Sequence, residues 1–77
     1  MTLYCVFQEG VYRHDCEGVY DTFEAAVEAA NSVAADDRDD YHNYEVTAYE
    51  LNQRPLTEKI LYSVNKTEAL NLKSGAV

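Results

Sequence analysis

Glycine occurs three times in 77 residues, proline once and cysteine twice, and six basic side chains stand against fourteen acidic ones. Each shortage excludes something. Three glycines do not supply a Gly-rich loop that cradles a phosphate, and neither a Walker lysine nor a dinucleotide fingerprint occurs. No glycine lies between Gly18 and Gly75, so the acidic run Asp36–Asp40 lacks the turn glycine of a calcium loop. Two cysteines are too few for a disulfide scaffold. No charged n-region leads into an apolar h-region at the start, so the expected setting is a reducing cytoplasm with free thiols. No uncharged apolar run approaches the roughly 20 residues that span a bilayer. The scarcity of bases leaves a net charge of −8, which argues against direct contact with nucleic acid or with an anionic membrane.

The chain is long enough for one small domain, whose folding buries only about 60–65% of the surface of the unfolded chain. Its charge is one-sided. Residues 1–51 carry twelve acids against Arg13 and Arg38, a net −10, and residues 52–77 carry four bases against two acids, a net +2. A negative field of this kind steers toward basic partners.

Leu3–Phe7 is a run of apolar, aromatic and β-branched residues and reads as a strand. A second strand within Val11–Asp21 completes a hairpin, with either Glu9-Gly10 or the wider His14–Gly18 stretch as its loop. Thr22 caps a helix in which Phe23, Ala26, Val27, Ala30, Val33 and Ala34 fall on one face and Glu24, Glu28 and Asn31 on the other. This helix should end near Asp36, leaving four carboxylates of Asp36–Asp40 at the negative end of its dipole. Tyr44–Leu51 is a strand by composition, Pro55 marks the connection after it, and Lys59–Asn65 is a fourth strand with Ile60, Tyr62 and Val64 on one face. The order predicts an α+β fold, ββαβ or ββαββ: an antiparallel sheet of three to four strands with one helix packed on one face. The domain covers residues 1–66, and 67–77 are expected to form a poorly ordered tail.

One helix leaves the second sheet face uncovered. Strict alternation puts Tyr4 and Val6 opposite Leu3, Cys5 and Phe7, and Tyr49 and Leu51 opposite Tyr44, Val46 and Ala48. Seven tyrosines, a residue type enriched at interfaces, make a second buried surface the expectation. Tyr4, Val6, Tyr49 and Leu51 are its candidate residues, with a second copy of the chain as the alternative partner.

Chemistry has few carriers. Cys5, His14, Cys16 and His42 are the only soft metal ligands; they lack metal-ligand spacing, and a buried thiol acting as a small hydrophobe is the commoner role for cysteine. His14-Asp15-Cys16 places three catalytic residue types side by side, but a triad is assembled in space, not along the chain. No catalytic residue, metal or cofactor is assigned, and a non-enzymatic chain is expected. The acidic run admits another use. Asp36, Asp37, Asp39 and Asp40, with Glu45 and Glu50 further on, resemble a row of phosphates that meets the Lys/Arg groove of a nucleic-acid-binding protein. Asp36, Asp37, Asp39, Asp40, Tyr41, Tyr44 and Glu45 are therefore the candidate partner-binding residues.

Three stretches carry a family resemblance: Leu3–Phe7, then Gly18-Val19-Tyr20-Asp21-Thr22-Phe23-Glu24-Ala25-Ala26, then Tyr44–Leu51. Over about two thirds of the chain they resemble a group of small bacteriophage accessory proteins. In that group a strand leads through a G-V-[YF]-x-[ST]-x-x-x-A turn into a helix and then a strand ending in Y-x-L. The resemblance implies a protein made in the host cytoplasm that binds and inhibits a host protein, such as a restriction or CRISPR component. It carries over no catalytic residue.

Overall fold

A computed structural model describes residues 1–10, 14–38, 42–52 and 59–74 of the chain. Six elements follow one another: β1 (Thr2–Glu9), β2 (His14–Tyr20), α1 (Phe23–Asp36), β3 (Asn43–Glu50), β4 (Ile60–Asn65) and α2 (Lys66–Ser74). The strands form one antiparallel sheet in the order β2-β1-β3-β4. β1 and β3 take the central places, where both edges are paired, and β2 and β4 are the edge strands.

Glu9 and His14 face each other in register at one end of the β1–β2 ladder, and residues 11–13 lie outside the described residues. The alternative loop at His14–Gly18 falls inside β2. Two bulges break the alternation. Val6 faces Gly18 but Phe7 faces Cys16, so Glu17 is the extra residue in β2. Val46 faces Tyr62 but Thr47 faces Ile60, so Leu61 is the extra residue in β4. The second bulge corrects the expected face of Ile60. Tyr62 and Val64 point to the helices, whereas Ile60 lies in register with Thr47 on the other side.

α1 begins and ends where its caps dictate. The Thr22 hydroxyl accepts the Ala25 N–H at 3.2 Å, and the Asp37 N–H donates to the Ala34 carbonyl at 3.3 Å. Ala26, Ala30 and Ala34, spaced one per turn, are fully buried. With methyl groups alone on this line, the helix settles close on the sheet, against Val6, Tyr44, Val46 and Val64. An edge-to-face pair of Tyr4 and Phe23, with ring centroids 5.9 Å apart, closes one end of the layer.

The expected tail is in fact a second helix over Lys66–Ser74. Its start is a reciprocal cap. Asn65 Oδ1 accepts the Glu68 N–H at 2.9 Å, and Glu68 Oε1 accepts the Asn65 N–H at 3.0 Å. Ala69 then packs into the same core as α1, with an exposure of 2%. The architecture is thus ββαββα, with both helices on one face of the sheet. Residues 75–77 lie outside the described residues.

Candidate functional site

Of the acidic run, Asp36 and Asp37 are the acids among the described residues, and they have different surroundings. Asp36, the last residue of α1, is exposed. Asp37 turns inward. Its Oδ2 accepts the Tyr44 hydroxyl at 2.6 Å and lies 2.8 Å from His42 Nδ1. Gln8 Nε2 donates to the Tyr44 phenol oxygen at 3.2 Å and also lies 2.9 Å from His42 Nδ1. That nitrogen serves one neighbour at a time: holding hydrogen it donates to Asp37, and bare it accepts from Gln8. The ionised carboxylate, an obligatory acceptor, favours the first arrangement. Tyr44 is buried, and burial first, then its bond to Asp37 and the charge of that carboxylate, push its phenol far above the ordinary range. Gly10 lets the His42 ring in, because a Cβ there would stand 2.8 Å from the imidazole Cδ2. The cluster fastens the C-terminal end of α1 to β1 and β3. A carboxylate beside an imidazole is also the pairing of a general base; here the same carboxylate oxygen accepts the Tyr44 hydroxyl as well.

Of the sequence-predicted binding residues, Asp37 and Tyr44 are bonded to each other within this cluster. Asp36 is on the surface, and Glu45 lies half-buried on the opposite sheet face, in register with Phe7 and Ser63. Asp39, Asp40 and Tyr41 fall outside the described residues.

The alternative interface also divides. Tyr4 and Val6 sit beneath the helices, Val6 at 1% exposure, so they do not share a surface with Tyr49. Leu51 follows β3 and is exposed, its N–H donating to the Met1 carbonyl at 2.8 Å. The face that neither helix covers holds Leu3, Cys5 and Phe7 of β1, Thr47 and Tyr49 of β3, Val19 of β2 and Ile60 of β4. Phe7 and Tyr49 pair edge to face, with centroids 6.4 Å apart. Thr47, between Cys5 and Ile60 in register, is buried, whereas Val19 and Ile60 are more than half exposed.

A feature the sequence reading missed lies between the helices. An open groove of about 590 Å³ has Phe23, Val27, Ala35, Ala69 and Leu72 along its apolar floor. Glu24, Glu28, Ser32 and Asp36 form one wall, and Lys73 stands on the other side. These four α1 residues recur every fourth position, so they form a line of about 18 Å at 1.5 Å per residue. The i, i+4 acidic spacing was visible in the sequence; the second wall was not, because α2 read as a tail.

Among the described residues no group of three or more His, Cys, Asp and Glu side chains could hold a metal ion. Cys5 and Cys16 share the open sheet face through their register partners Val19 and Phe7, and His42 sits on the helix side. The side chain of His14 is not among those described. Burial, and to a lesser degree the neighbouring Cys16, push the Cys5 thiol up, which keeps it protonated and weakly nucleophilic. Among the described residues no helix is long and apolar enough to cross a membrane. Comparison with protein-family models, with curated proteins and with solved structures finds no significant match.

Proposed function

We propose that this chain is a small, acidic, non-enzymatic protein-binding module that engages a basic surface on its partner. The observation that carries the reading is the line Glu24, Glu28 and Asp36 bordering an open apolar groove, on a chain of net charge −8. Carboxylates raise the encounter rate with a basic partner and repel anionic competitors. Aromatic and aliphatic groups beside them supply the burial that makes a complex last. Inhibition of a host nucleic-acid-binding or defence protein, in the host cytoplasm, is the form of this role that the phage resemblance supports.

The test is charge reversal that spares the fold. Glu24→Lys, Glu28→Lys and Asp36→Lys together should abolish capture of a basic partner while circular dichroism and thermal melting stay near those of the parent. Asp37 is left untouched, because it holds Tyr44. Undiminished capture of the same partner refutes the reading.

A second reading has its own support. The uncovered face with Phe7, Tyr49, Val19 and Ile60 is the kind of apolar surface that a second copy of the chain covers in a homodimer. Tyr49→Lys should then halve the mass measured by light scattering, and an unchanged mass dismisses this reading.

A further inference from the structure

We propose that the groove between α1 and α2 receives one amphipathic, basic helix of the partner, about three to four turns long, lying along α1. This deepens the proposed function and rests on it, since it names the chemistry that the acidic site takes.

Length, polarity and charge point the same way. α1 has 14 residues, about 21 Å of axis, and the groove follows it from Phe23 to Asp36. A partner helix of equal length has the same rise and repeat, so its residues at i, i+3, i+4 and i+7 meet the floor in register. The floor is apolar but not sealed. Leu72 is 58% exposed, and Phe23 and Val27 are half-buried, so apolar area is left that a partner's leucines or aromatics can cover. The wall selects sign. Glu24, Glu28 and Asp36, with Ser32 between the last two, stand on the four-residue spacing along which Lys or Arg recurs on one edge of a facing helix. Lys73 on the opposite wall suits an acid or a neutral polar group there and sets the direction of the guest. Side chains four apart on a guest helix recur at roughly 6 Å, the same rise as the acids of α1, whereas same-face side chains of a strand recur at about 6.6 Å and fall out of step along the groove. Asn31, on the groove side of α1, accepts the Tyr62 hydroxyl at 2.6 Å through its Oδ1.

The test uses three labelled synthetic peptides of about 16 residues. One carries leucines on a single helical face and lysines along the flanks. The second is a scramble of it, with equal charge and no apolar face. The third replaces every lysine by glutamate. Affinity is read by fluorescence anisotropy, and the site is located by amide chemical shifts of the labelled protein. The first peptide should bind, with shifts confined to α1 and α2. The scramble should bind at least about tenfold more weakly, and the acidic peptide not at all. Leu72→Glu and Glu28→Lys, both at exposed positions that leave the core intact, should each weaken binding of the first peptide about threefold to tenfold. Equal binding of the first peptide and its scramble overturns the helix-in-groove inference and leaves the acidic module standing. Shifts centred on the open sheet face, or no effect of Leu72→Glu, overturn it in the same way. Failure of both basic peptides to bind overturns the inference and counts against the proposed function as well.

Discussion

Asp36 and Asp37 are neighbours with the same side chain at the same end of α1, and the structure gives them opposite effects on stability. Both stand at the negative end of the helix dipole, where a carboxylate costs about 0.3–1 kcal/mol. For exposed Asp36 that is the whole account, so Asp36→Ala should raise stability by roughly that amount. For Asp37 the account is reversed by its bonds. Its carboxylate accepts the hydroxyl of Tyr44, which is 3% exposed, at 2.6 Å, and pairs with His42 Nδ1 at 2.8 Å. Gln8 only donates to Tyr44, so removing the carboxylate strands a buried hydroxyl donor, at a cost of about 1–3 kcal/mol. After the dipole relief, Asp37→Ala should lose about 1–2 kcal/mol, or some 4–15 °C in Tm for a domain of this size. Urea denaturation of Asp36→Ala, Asp37→Ala, Tyr44→Phe and the double variant Asp37→Ala/Tyr44→Phe measures this. The double variant should cost less than the sum of its parts, because with the hydroxyl gone there is no donor left to strand. An Asp37→Ala protein as stable as the parent, or more so, would show that the run is a plain acidic patch and that the network contributes nothing.

The remaining predictions concern the same scaffold. The raised Tyr44 phenol means that the folded state keeps a proton that the unfolded chain releases, so stability is complete below the ordinary phenol pKa near 10 and falls above it. Tyrosinate absorbance should show one of the seven tyrosines ionising only with unfolding; seven that titrate together before unfolding contradict this. Asn65→Ala removes the α2 cap and should cost about 1 kcal/mol in thermal melting, and an unchanged Tm would deny the helix its place in the core. Ala30→Leu puts a large side chain where a methyl is fully buried against the sheet and should cost about 1–3 kcal/mol or more by denaturant titration; a neutral result would mean that α1 stands off the sheet.

What was legible in the sequence was local. The Thr22 cap, the period of Phe23, Ala26, Ala30 and Ala34, and the β-rich runs of β1 and β3 each declare themselves within a few residues. α2 was hidden because its pattern at Ala69, Leu70 and Leu72 is weak. Its one strong signal is the Asn65-x-x-Glu68 cap, which sits at the end of a strand pattern. The bulges at Glu17 and Leu61 were illegible, since an extra residue in one strand is defined only by its partner. Alternation separated Tyr4 and Val6 from Phe7 correctly, but it does not say which face the helices cover, so the candidate interface mixed both. Gln8, Asp37, His42 and Tyr44 meet only when α1 is docked, which is why Asp37 read as a surface charge.

If the acids along α1 hold a basic partner, removing their charge must release it. The most direct test is affinity capture from a bacterial lysate by the parent and by the Glu24→Lys/Glu28→Lys/Asp36→Lys variant. Each is washed at about 0.15 M and about 1 M salt, between which the Debye length falls from roughly 8 to 3 Å. One stoichiometric basic protein is expected on the parent at low salt, weakened at high salt, absent from the variant, and binding the purified parent directly. The same protein held equally by both, at either salt, would contradict this.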